Sequence, residues 1–474
     1  MEEAAGTDVT TRAPRRGETL ELEIDSLAFG GRGVARAGGF VVFVAGGLPG
    51  DRVRAEVTKG KKRFAEARTL EVLRPGTERL PDTCVHEGEP CPGAPWQGLP
   101  YERQLAHKQE QVAEALRRIG SLEGFELEEI VPAVEQWRYR NKLEYSFGER
   151  EDEPTLGFHA RGRWDLIVDV DDCHLASAAG NEARNAVRDW ARAEAVAAYD
   201  ARARRGVLRN LAVREGRRTG QIQTRLVTTK ARFPRPPVDL HTIVEGDSGG
   251  TDGPTGVLGE ERLREELCGL KLEMSHGAFF QTNTEMAERL YGVAAEFAGL
   301  AGRERVFDLF CGIGTIGLTM AAAAGEIWGL EIVPEAIEDA ERNAKANGIE
   351  NAHFMAANAR TGVRPLVEKA GKPDVVVVDP PRAGLSQKIV RRVIECEADR
   401  IVYVSCNPTT LAPNAAQLVE AGYRLTRVRP VDMFPQTPHI ECVALFQREA
   451  KRVAAPANAV QAASDAAEEA TSDE

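Results

Sequence analysis

Long apolar runs are missing from this 474-residue chain. Apolar stretches such as Pro373 to Val378 and Met320 to Gly325 fall far short of the about 18–20 residues that a membrane-spanning helix needs. Cysteine is scarce as well: eight residues are too few for a disulfide scaffold, so their spacing has to be read as metal or catalytic chemistry. Nor is there an excess of positive charge. With 73 acidic against 61 basic side chains the net charge is −12, and the chain as a whole does not attract a polyanion. A nucleic-acid partner therefore requires a local basic surface. The first residues carry no apolar h-region, no segment repeats, and nothing calls for an obligate protein partner. The expectation is a cytoplasmic protein with no membrane role.

Apolar residues at 42% and charged residues at 28% supply cores for roughly three domains of about 150 residues each. Residues 1–15 and 450–474, rich in Ala, Ser, Thr and acids, read as disordered tails. Residues 16–76 hold the alternating runs LELEID, GFVVFVAG and DRVRAEVT between glycine-rich turns, the pattern of a small antiparallel β-barrel. From Arg16 to Pro75 this segment carries 11 basic and 8 acidic side chains, with Lys59, Lys61, Lys62 and Arg63 clustered. Residues 77–98 are a cysteine-containing loop. Residues 99–272 read as a central α+β domain: a helix through QLAHKQEQVAEALRRIG, then strands such as KLEYSF, DLIVDV and GQIQTRLVTT. Within it EGDSGGTDGPTG, residues 245–256, reads as a surface loop. Residues 273–449 alternate strands with helices, which predicts a parallel, doubly wound sheet.

The chemistry concentrates at the ends of those last strands. Asp308-Leu-Phe-Cys-Gly-Ile-Gly314-Thr follows a strand and opens a helix, and Gly312 and Gly314 permit a tight turn and close backbone approach to a ligand. Glu331 ends the next strand, where an acid accepts the two hydroxyls of a ribose. A GxG loop without the GxGxxG pattern suits an adenosyl ligand lacking a pyrophosphate, and S-adenosylmethionine is the natural candidate. Asp379-Pro-Pro-Arg382 ends the strand VVVV and should face the same crevice. In RIVYVSCNP, Cys406 stands in the loop after another strand. In HIECVALF, Glu441 lies among apolar residues, a costly place for a carboxylate without a task, and the adjacent Cys442 points to the opposite face. A methyl donor, a cysteine and a carboxylate together suit methylation of uracil C5. The thiolate adds to C6, C5 takes the methyl group, and the carboxylate removes the C5 proton.

FFQTNTEMAERLY, DLFCGIGTIGL, DPPRAGL, VSCNPTTLAPN and DMFPQTPHIECVALF resemble, in order and spacing, the RNA 5-methyluridine (uracil-C5) methyltransferase family, over residues 17 to 448. FGGRGVAR resembles the signature of that family's TRAM domain, an OB-like RNA-binding barrel, and YRNKLEYSFG resembles a segment of its central domain. The resemblance implies an α/β enzyme with a Rossmann-like methyltransferase domain. It makes Cys406 the nucleophile and Glu441 the base, and Gln281, Phe310, Thr315, Glu331, Asn358 and Asp379 the S-adenosylmethionine and active-site contacts. Pro413 and Asn414 stand where many members have Arg-Asp. The DPP loop has no cysteine, unlike that of cytosine-C5 enzymes, which favours uracil. Several members also hold a [4Fe–4S] cluster on four cysteines. Cys84, Cys91 and Cys173 occupy three of those places, and Ala94 stands in the fourth. A cluster here needs an outside ligand such as His86; otherwise the loop is vestigial. Cys268, Cys311, Cys396 and Cys442 read as core packing.

Uracil C5 and C6 are hidden in a stacked helix, so the RNA partner, ribosomal or transfer RNA, must offer a loop base or have one flipped out. Lys59, Lys61, Lys62 and Arg63, Arg138, Arg140 and Lys142, and Arg202, Arg204 and Arg205 are candidate phosphate contacts. Two other readings remain: an RNA-binding or RNA-folding module, and methyl transfer to another base, as in amino methyltransferases of the D-P-P type.

Overall fold

The computed structural model describes residues 13–449 apart from 87, 88, 161, 162, 237, 239 and 246–250, so the two tails fall outside it except for residues 13–15. Among the described residues no helix is long and apolar enough to cross a membrane.

The N-terminal unit is one six-stranded sheet: β1 (Thr19–Glu23), β2 (Ser26–Leu27), β3 (Gly33–Ala37), β4 (Phe40–Ala45), β5 (Arg52–Gly60) and β6 (Phe64–Arg74), ordered β1-β5-β6-β4-β3-β2. β1 and β2 end the order yet are joined by two residues only, a reach of roughly 10 Å. The sheet therefore curls into a barrel. Its ladders are antiparallel except for β4 with β6, which run parallel, a departure from the all-antiparallel expectation. The alternation sends Leu22, Val42, Val44, Val53, Ala55 and Ala65 inward and the charges outward. There Arg52 meets Glu21 at 2.9 Å and Arg68 meets Glu56 at 2.7 Å. A short hairpin, β7 (Val85–His86) and β8 (Glu89–Pro90), lies in the cysteine-containing segment.

After α1 (Tyr101–Glu114) and β9 (Glu126–Leu127), the central sheet contains β10 (Lys142–Arg150), β11 (Glu153–Ala160), β12 (Arg163–Asp169), β13 (Leu208–Gly216), β14 (Gln221–Thr228), β15 (Leu240–Glu245) and β16 (Thr251–Leu258). Their order is β12-β11-β10-β13-β14-β15-β16, and α2 (Ala178–Ala193) packs on β11 and β13 through Val187 and Trp190. β16 overturns part of the loop expected at 245–256. Residues 251–256 pair with β15, with two register shifts, and Pro254 is tolerated because β16 is an edge strand whose outer N–H positions need no partner. Residues 246–250 lie outside the described residues.

β17 (Leu263–Leu267) and β18 (Leu270–Met274) form a hairpin before α3 (Thr284–Ala298). The large unit continues with β19 (Arg305–Leu309), α4 (Thr315–Met320), β20 (Glu326–Glu331), α5 (Pro334–Ala346), β21 (Ala352–Ala356), α6 (Ala359–Ala370), β22 (Val375–Val378), α7 (Gln387–Glu395), β23 (Arg400–Ser405), α8 (Pro408–Glu420), β24 (Tyr423–Val431) and β25 (Glu441–Arg448). The order is β21-β20-β19-β22-β23-β25-β24-β9. The first five strands are parallel, as expected from the intervening helices. β25 is antiparallel to both its neighbours, because the link from β24 contains no crossover helix. The sheet is therefore mixed rather than parallel.

Two stretches assigned from the sequence to the central domain pack with the large sheet instead. Val112 and Leu116, at and just after the end of α1, and Leu122 share a core with Leu411, Leu418 and Val428, and β9 pairs with β24. Leu263, Leu267 and Leu272 pack against Met286 and Leu290 of α3. The helix α1 also delivers Lys108, fully buried, to Asp432, also fully buried, at 2.5 Å; Asp432 accepts a further hydrogen bond from Tyr101 at 2.8 Å. This pair braces the loop between β24 and β25. Replacing Lys108 with alanine strands the Asp432 carboxylate and should cost about 3–5 kcal/mol, whereas pairing Lys108→Met with Asp432→Leu should recover much of the loss. Thermal melts of the parent and the two variants check this; an unchanged melting temperature for Lys108→Ala would refute it.

Candidate active site

Five strand ends meet at one rim of the large sheet. The parallel ladders set Leu330, Leu309, Val378 and Tyr403 side by side. The residues beyond them, Glu331, the Phe310–Gly314 loop, Asp379 and Cys406, emerge together at the carboxyl ends of the strands, where doubly wound sheets bind ligands. β25 arrives from the opposite direction and brings its first residue to the same place. Its last ladder pair with β23 is Ser405 with Cys442, and one step further Cys406 comes opposite Glu441. Opposed residues of an antiparallel pair project from the same face. Cys442 lies on the other face, in the core with Leu411 and Ala415, while Val443 and Leu445 share the side of Glu441.

The glycine loop is shaped for close approach. Gly314 has φ +83°, and a Cβ there would come within 3.1 Å of Phe354 and 3.2 Å of Ala340, so any side chain is both strained and crowded. Phe310 adopts φ +68°, a strained conformation costing on the order of 1–3 kcal/mol, held by its N–H bond to the Leu330 carbonyl at 2.8 Å. Thr315 Oγ1 meets the Tyr291 hydroxyl at 3.2 Å. Glu331 spans two loops: Oε1 accepts from the N–H groups of Ile332 and Val333 at 2.7 and 3.0 Å, and Oε2 from that of Gly312 at 3.2 Å. Oε2, with one bond, keeps acceptor capacity for a ligand hydroxyl.

Asp308 lies beneath the loop. Its Oδ2 accepts the Gly317 N–H at 2.8 Å, its Oδ1 is buried with no partner, and burial lifts its carboxyl to about 7. An orphaned acceptor beside Glu331 fits a ligand that brings donors and positive charge, as S-adenosylmethionine does. The sequence reading quoted Asp308 without assigning it a role. It also missed Ile332 and Val333, 59% and 48% exposed, which give the crevice an apolar wall suited to a flat ring. Two β-branched residues directly after a strand-terminal acid were the available signal.

The other predicted contacts vary. Asp379 reaches the crevice, its carboxyl lifted to about 7 by burial and by Asp308. Gln281 is buried on the approach to α3, where Asn141 holds the chain through Nδ2 to the Gln281 carbonyl and N–H to that of Thr282, both at 2.9 Å. Tyr139 of the same YRNK segment donates to the Pro435 carbonyl at 3.0 Å, just ahead of Glu441. The central domain thus clamps both approaches to the site. Asn358 caps the start of α6, its oxygen accepting the Arg360 N–H at 2.9 Å.

Cys406 is half-buried. Burial, then Glu441 and Asp379, push its thiol up to about 12, and Arg382 pulls the other way. Glu441 is 4% exposed, and burial followed by Asp379 raises its carboxyl well above the usual carboxylate range. Burial thus disfavours charge on both the thiol and the acid in the free crevice. Its two loops are fastened together: Asn407 Nδ2 donates to the Arg382 carbonyl at 3.2 Å, while Asn414 Oδ1 accepts from the Leu385 N–H at 2.9 Å and from Tyr403 at 3.0 Å. Asn414, the departure from the family pattern, thus pins the DPP loop to α8. His439 lies nearby; burial, Arg382, Arg140 and Lys108 hold it down to about 4, a neutral imidazole.

Several expected RNA contacts are engaged elsewhere. Arg138 grips Asp172 at 2.5 and 2.6 Å, Lys142 pairs with Glu144 at 2.9 Å, and Arg140 lies over the Phe434 ring at 5.6 Å. Lys59 is 4.0 Å from Glu66. Lys61, Lys62 and Arg63 are exposed at the β5–β6 tip, as are Arg204 and Arg205, while Arg202 lies 5.3 Å over the exposed Trp164 ring. Cys311, Cys396 and Cys442 are buried as expected, but Cys268 is exposed, at φ +51° in the β17–β18 turn. Cys84 and Cys91 are buried together with His86; Cys173 is buried nearby but is not one of that trio.

Residues 260–449 match the family described as tRNA (Uracil-5-)-methyltransferase, and residues 14–70 match the TRAM domain. An RNA methyltransferase of Halalkalibacterium halodurans is 36% identical, the match covering 91% of this chain and 97% of that one. One from Nitratidesulfovibrio vulgaris is 38% identical over the same shares. Among solved structures, the tRNA (uracil-54, C5)-methyltransferase of Pyrococcus abyssi in complex with S-adenosyl-L-homocysteine superposes with a TM-score of 0.74 at 28% identity, covering 90% of this chain and all of that one. With these likenesses along nearly its whole length and a crevice fitted to an adenosyl ligand, the chain belongs to the family of S-adenosylmethionine-dependent RNA (uracil-5-)-methyltransferases that carry an N-terminal TRAM domain.

Proposed function

We propose that the chain methylates uridine C5 in a structured cytoplasmic RNA through a covalent bond between Cys406 and uracil C6. The observation that carries this reading is that Cys406, the residue just past the Ser405–Cys442 ladder pair, lies close enough to Glu441 and Asp379 for their charges to act on its thiol, at the rim shared with Glu331. Transfer RNA is the substrate class favoured by the Pyrococcus abyssi enzyme, and ribosomal RNA is the alternative.

S-adenosylmethionine, held at Glu331, Asp308 and the glycine loop, supplies an electrophilic methyl group and positive charge that favours anions in the crevice. Cys406 and Glu441 first release their protons to solvent, which the added positive charge favours. The Cys406 thiolate then attacks C6, the C5=C6 electron pair moves to C5 and the adjoining carbonyl, and C5 takes the methyl group as the methyl–sulfur bond breaks and its electron pair stays on the departing thioether. Arg382, the cation that draws the thiol pKa down, favours that thiolate. Once C5 carries the methyl group, the Glu441 carboxylate takes the C5 proton. The C–H pair re-forms C5=C6 and the Cys406 sulfur departs. Burial, followed by the Asp379 charge, raises the Glu441 carboxyl, which makes it the stronger base once it is ionised. The exposed basic tip of the barrel and the Arg202–Trp164 stack carry the RNA backbone and bases.

The test is to incubate the protein with S-adenosylmethionine and RNA substituted with 5-fluorouridine. Fluorine does not leave C5 as a proton does, so the protein should be trapped on its RNA at Cys406, and sequencing the trapped RNA names the substrate. Absence of an adduct with both transfer and ribosomal RNA pools, despite cofactor binding, would overturn the covalent route. It would then favour either a binding role or transfer to an exocyclic amine, which the Asp379-Pro-Pro loop could hold without a cysteine.

A further inference from the structure

A [4Fe–4S] cluster, implied by the family resemblance, does not fit the residues present. Its four ligand sulfurs stand off separate irons at the corners of a cubane, well spread from one another. Here the third cysteine position is Ala94, a buried methyl group in the turn whose N–H bonds the Cys91 carbonyl at 3.3 Å. The donors that are present are also gathered too tightly. Cys84 Sγ, Cys91 Sγ and a ring nitrogen of His86 all lie within 4.8 Å of one another, and Cys84 Sγ is 3.4 Å from His86 Nε2. Tetrahedral bonds of about 2.3 Å to sulfur and about 2.0 Å to nitrogen place ligand atoms roughly 3.5–3.8 Å apart, so this spacing is that of donors around one ion.

The local chain builds that arrangement. Cys84 and His86 stand two residues apart on one side of an extended segment, and the hairpin bond from the Cys91 N–H to the Cys84 carbonyl at 2.9 Å brings the second sulfur across. Gln97 fixes the frame from both ends, accepting the Cys84 N–H at 2.7 Å and donating to the Cys84 carbonyl at 3.0 Å. All three side chains are buried, at 0%, 7% and 0% exposure for Cys84, His86 and Cys91. The backbone of His174 and of Gly93 lies near the sulfurs of Cys84 and Cys91 and lowers their thiol pKa values, as outer-shell groups around a thiolate ligand do. His174 follows Cys173, itself fully buried and set by Asn181, which accepts the Cys173 N–H at 2.8 Å. Structural zinc sites are closed and four-coordinate.

We propose that Cys84, His86, Cys91 and Cys173 bind a single zinc ion, which ties the segment between the barrel and α1 to the loop that opens α2. Trp96, five residues past Cys91, donates its N–H to the Gln436 carbonyl at 3.0 Å in the loop before Glu441, so the ion anchors a segment that also touches the active site. This inference stands independently of the methylation mechanism.

Elemental analysis of the full chain, purified without chelator, should return about one zinc per chain, with little iron and no acid-labile sulfide. The same should hold after anaerobic reconstitution with iron and sulfide. Cobalt(II) added to the zinc-depleted protein should produce the visible bands of a tetrahedral site and a near-ultraviolet thiolate-to-cobalt band. His86→Ala and Cys84→Ser should lose the zinc, whereas His86→Cys should keep it and intensify the thiolate-to-cobalt band. Cys268→Ser, at an exposed turn elsewhere, should match the parent. Cys173→Ser should weaken zinc binding at least tenfold; unchanged affinity would overturn Cys173 as the fourth ligand. Iron and sulfide in cluster proportion, a Cys84–Cys91 disulfide in the native protein, or failure of the parent to bind either zinc or cobalt would each overturn the site.

Discussion

Replacing Cys406 with alanine should abolish methyl transfer, by on the order of 10⁴–10⁶ in kcat, the scale seen when an enzyme loses its nucleophile. Cofactor and RNA affinities should stay near those of the parent. The basis is positional. Cys406 is half-buried in the loop that ends β23, its neighbours across the crevice are Glu441 and Asp379, and no other cysteine can take over. Cys442, one residue from Glu441, is buried in the core on the opposite face of the sheet, and Cys311 is buried beneath the glycine loop. Side-chain truncation at a half-buried loop position should leave the melting temperature almost unchanged. Single-turnover assays with saturating RNA, together with binding isotherms, decide the matter. Residual transfer within tenfold of the parent would show that the sulfur forms no essential bond.

Glu441→Gln should have two large and opposite effects. Turnover should fall by roughly 10²–10⁴, the range for loss of a general base, and RNA should accumulate on Cys406 already methylated at C5, because the remaining proton has no acceptor. At the same time the fold should become more stable. The Glu441 carboxyl is raised well above its unfolded value by burial and by Asp379, so above the unfolded pKa of about 4.3 the folded chain holds a proton that the unfolded chain has released. This stabilising contribution is fully present below that pH and is lost as pH rises toward the folded pKa, by up to about 1.4 kcal/mol per pH unit. Glutamine carries no such dependence. The melting temperature of Glu441→Gln should therefore exceed that of the parent by a margin that widens from pH 5 to pH 8. A margin that shrinks over that range would contradict the protonated, buried acid, and full turnover without a trapped adduct would contradict the base.

Much of this site was legible in the sequence because each piece of chemistry sits at a strand end, and strand ends are written locally. VVVV before Asp379, RIVYVS before Cys406 and the GxG turn after VFDL are contiguous signals whose burial and turn chemistry need no knowledge of partners. Other features were invisible for a physical reason. Whether β25 runs parallel or antiparallel depends on which strand it adds to, and β4 meets β6 in parallel although hairpins surround them. Residues 251–256 have loop composition, yet they form an edge strand because an exposed ladder was available to extend. The helix α1 reads only as amphipathic; that it packs against α8 and brings Lys108 to Asp432 is settled 324 residues away in sequence.

The sequence by itself determined the family, the strand-end residues and their chemical types, because motif residues and their immediate flanks are contiguous. Only the tertiary structure decided how those residues stand toward one another. It set Cys406 opposite Glu441, left Asp308 with an unpartnered oxygen, committed the Asn358 oxygen to a helix cap and gathered His86 with two thiols. Desolvation and pairing depend on what the rest of the chain packs around a group, and no local stretch of sequence contains that information.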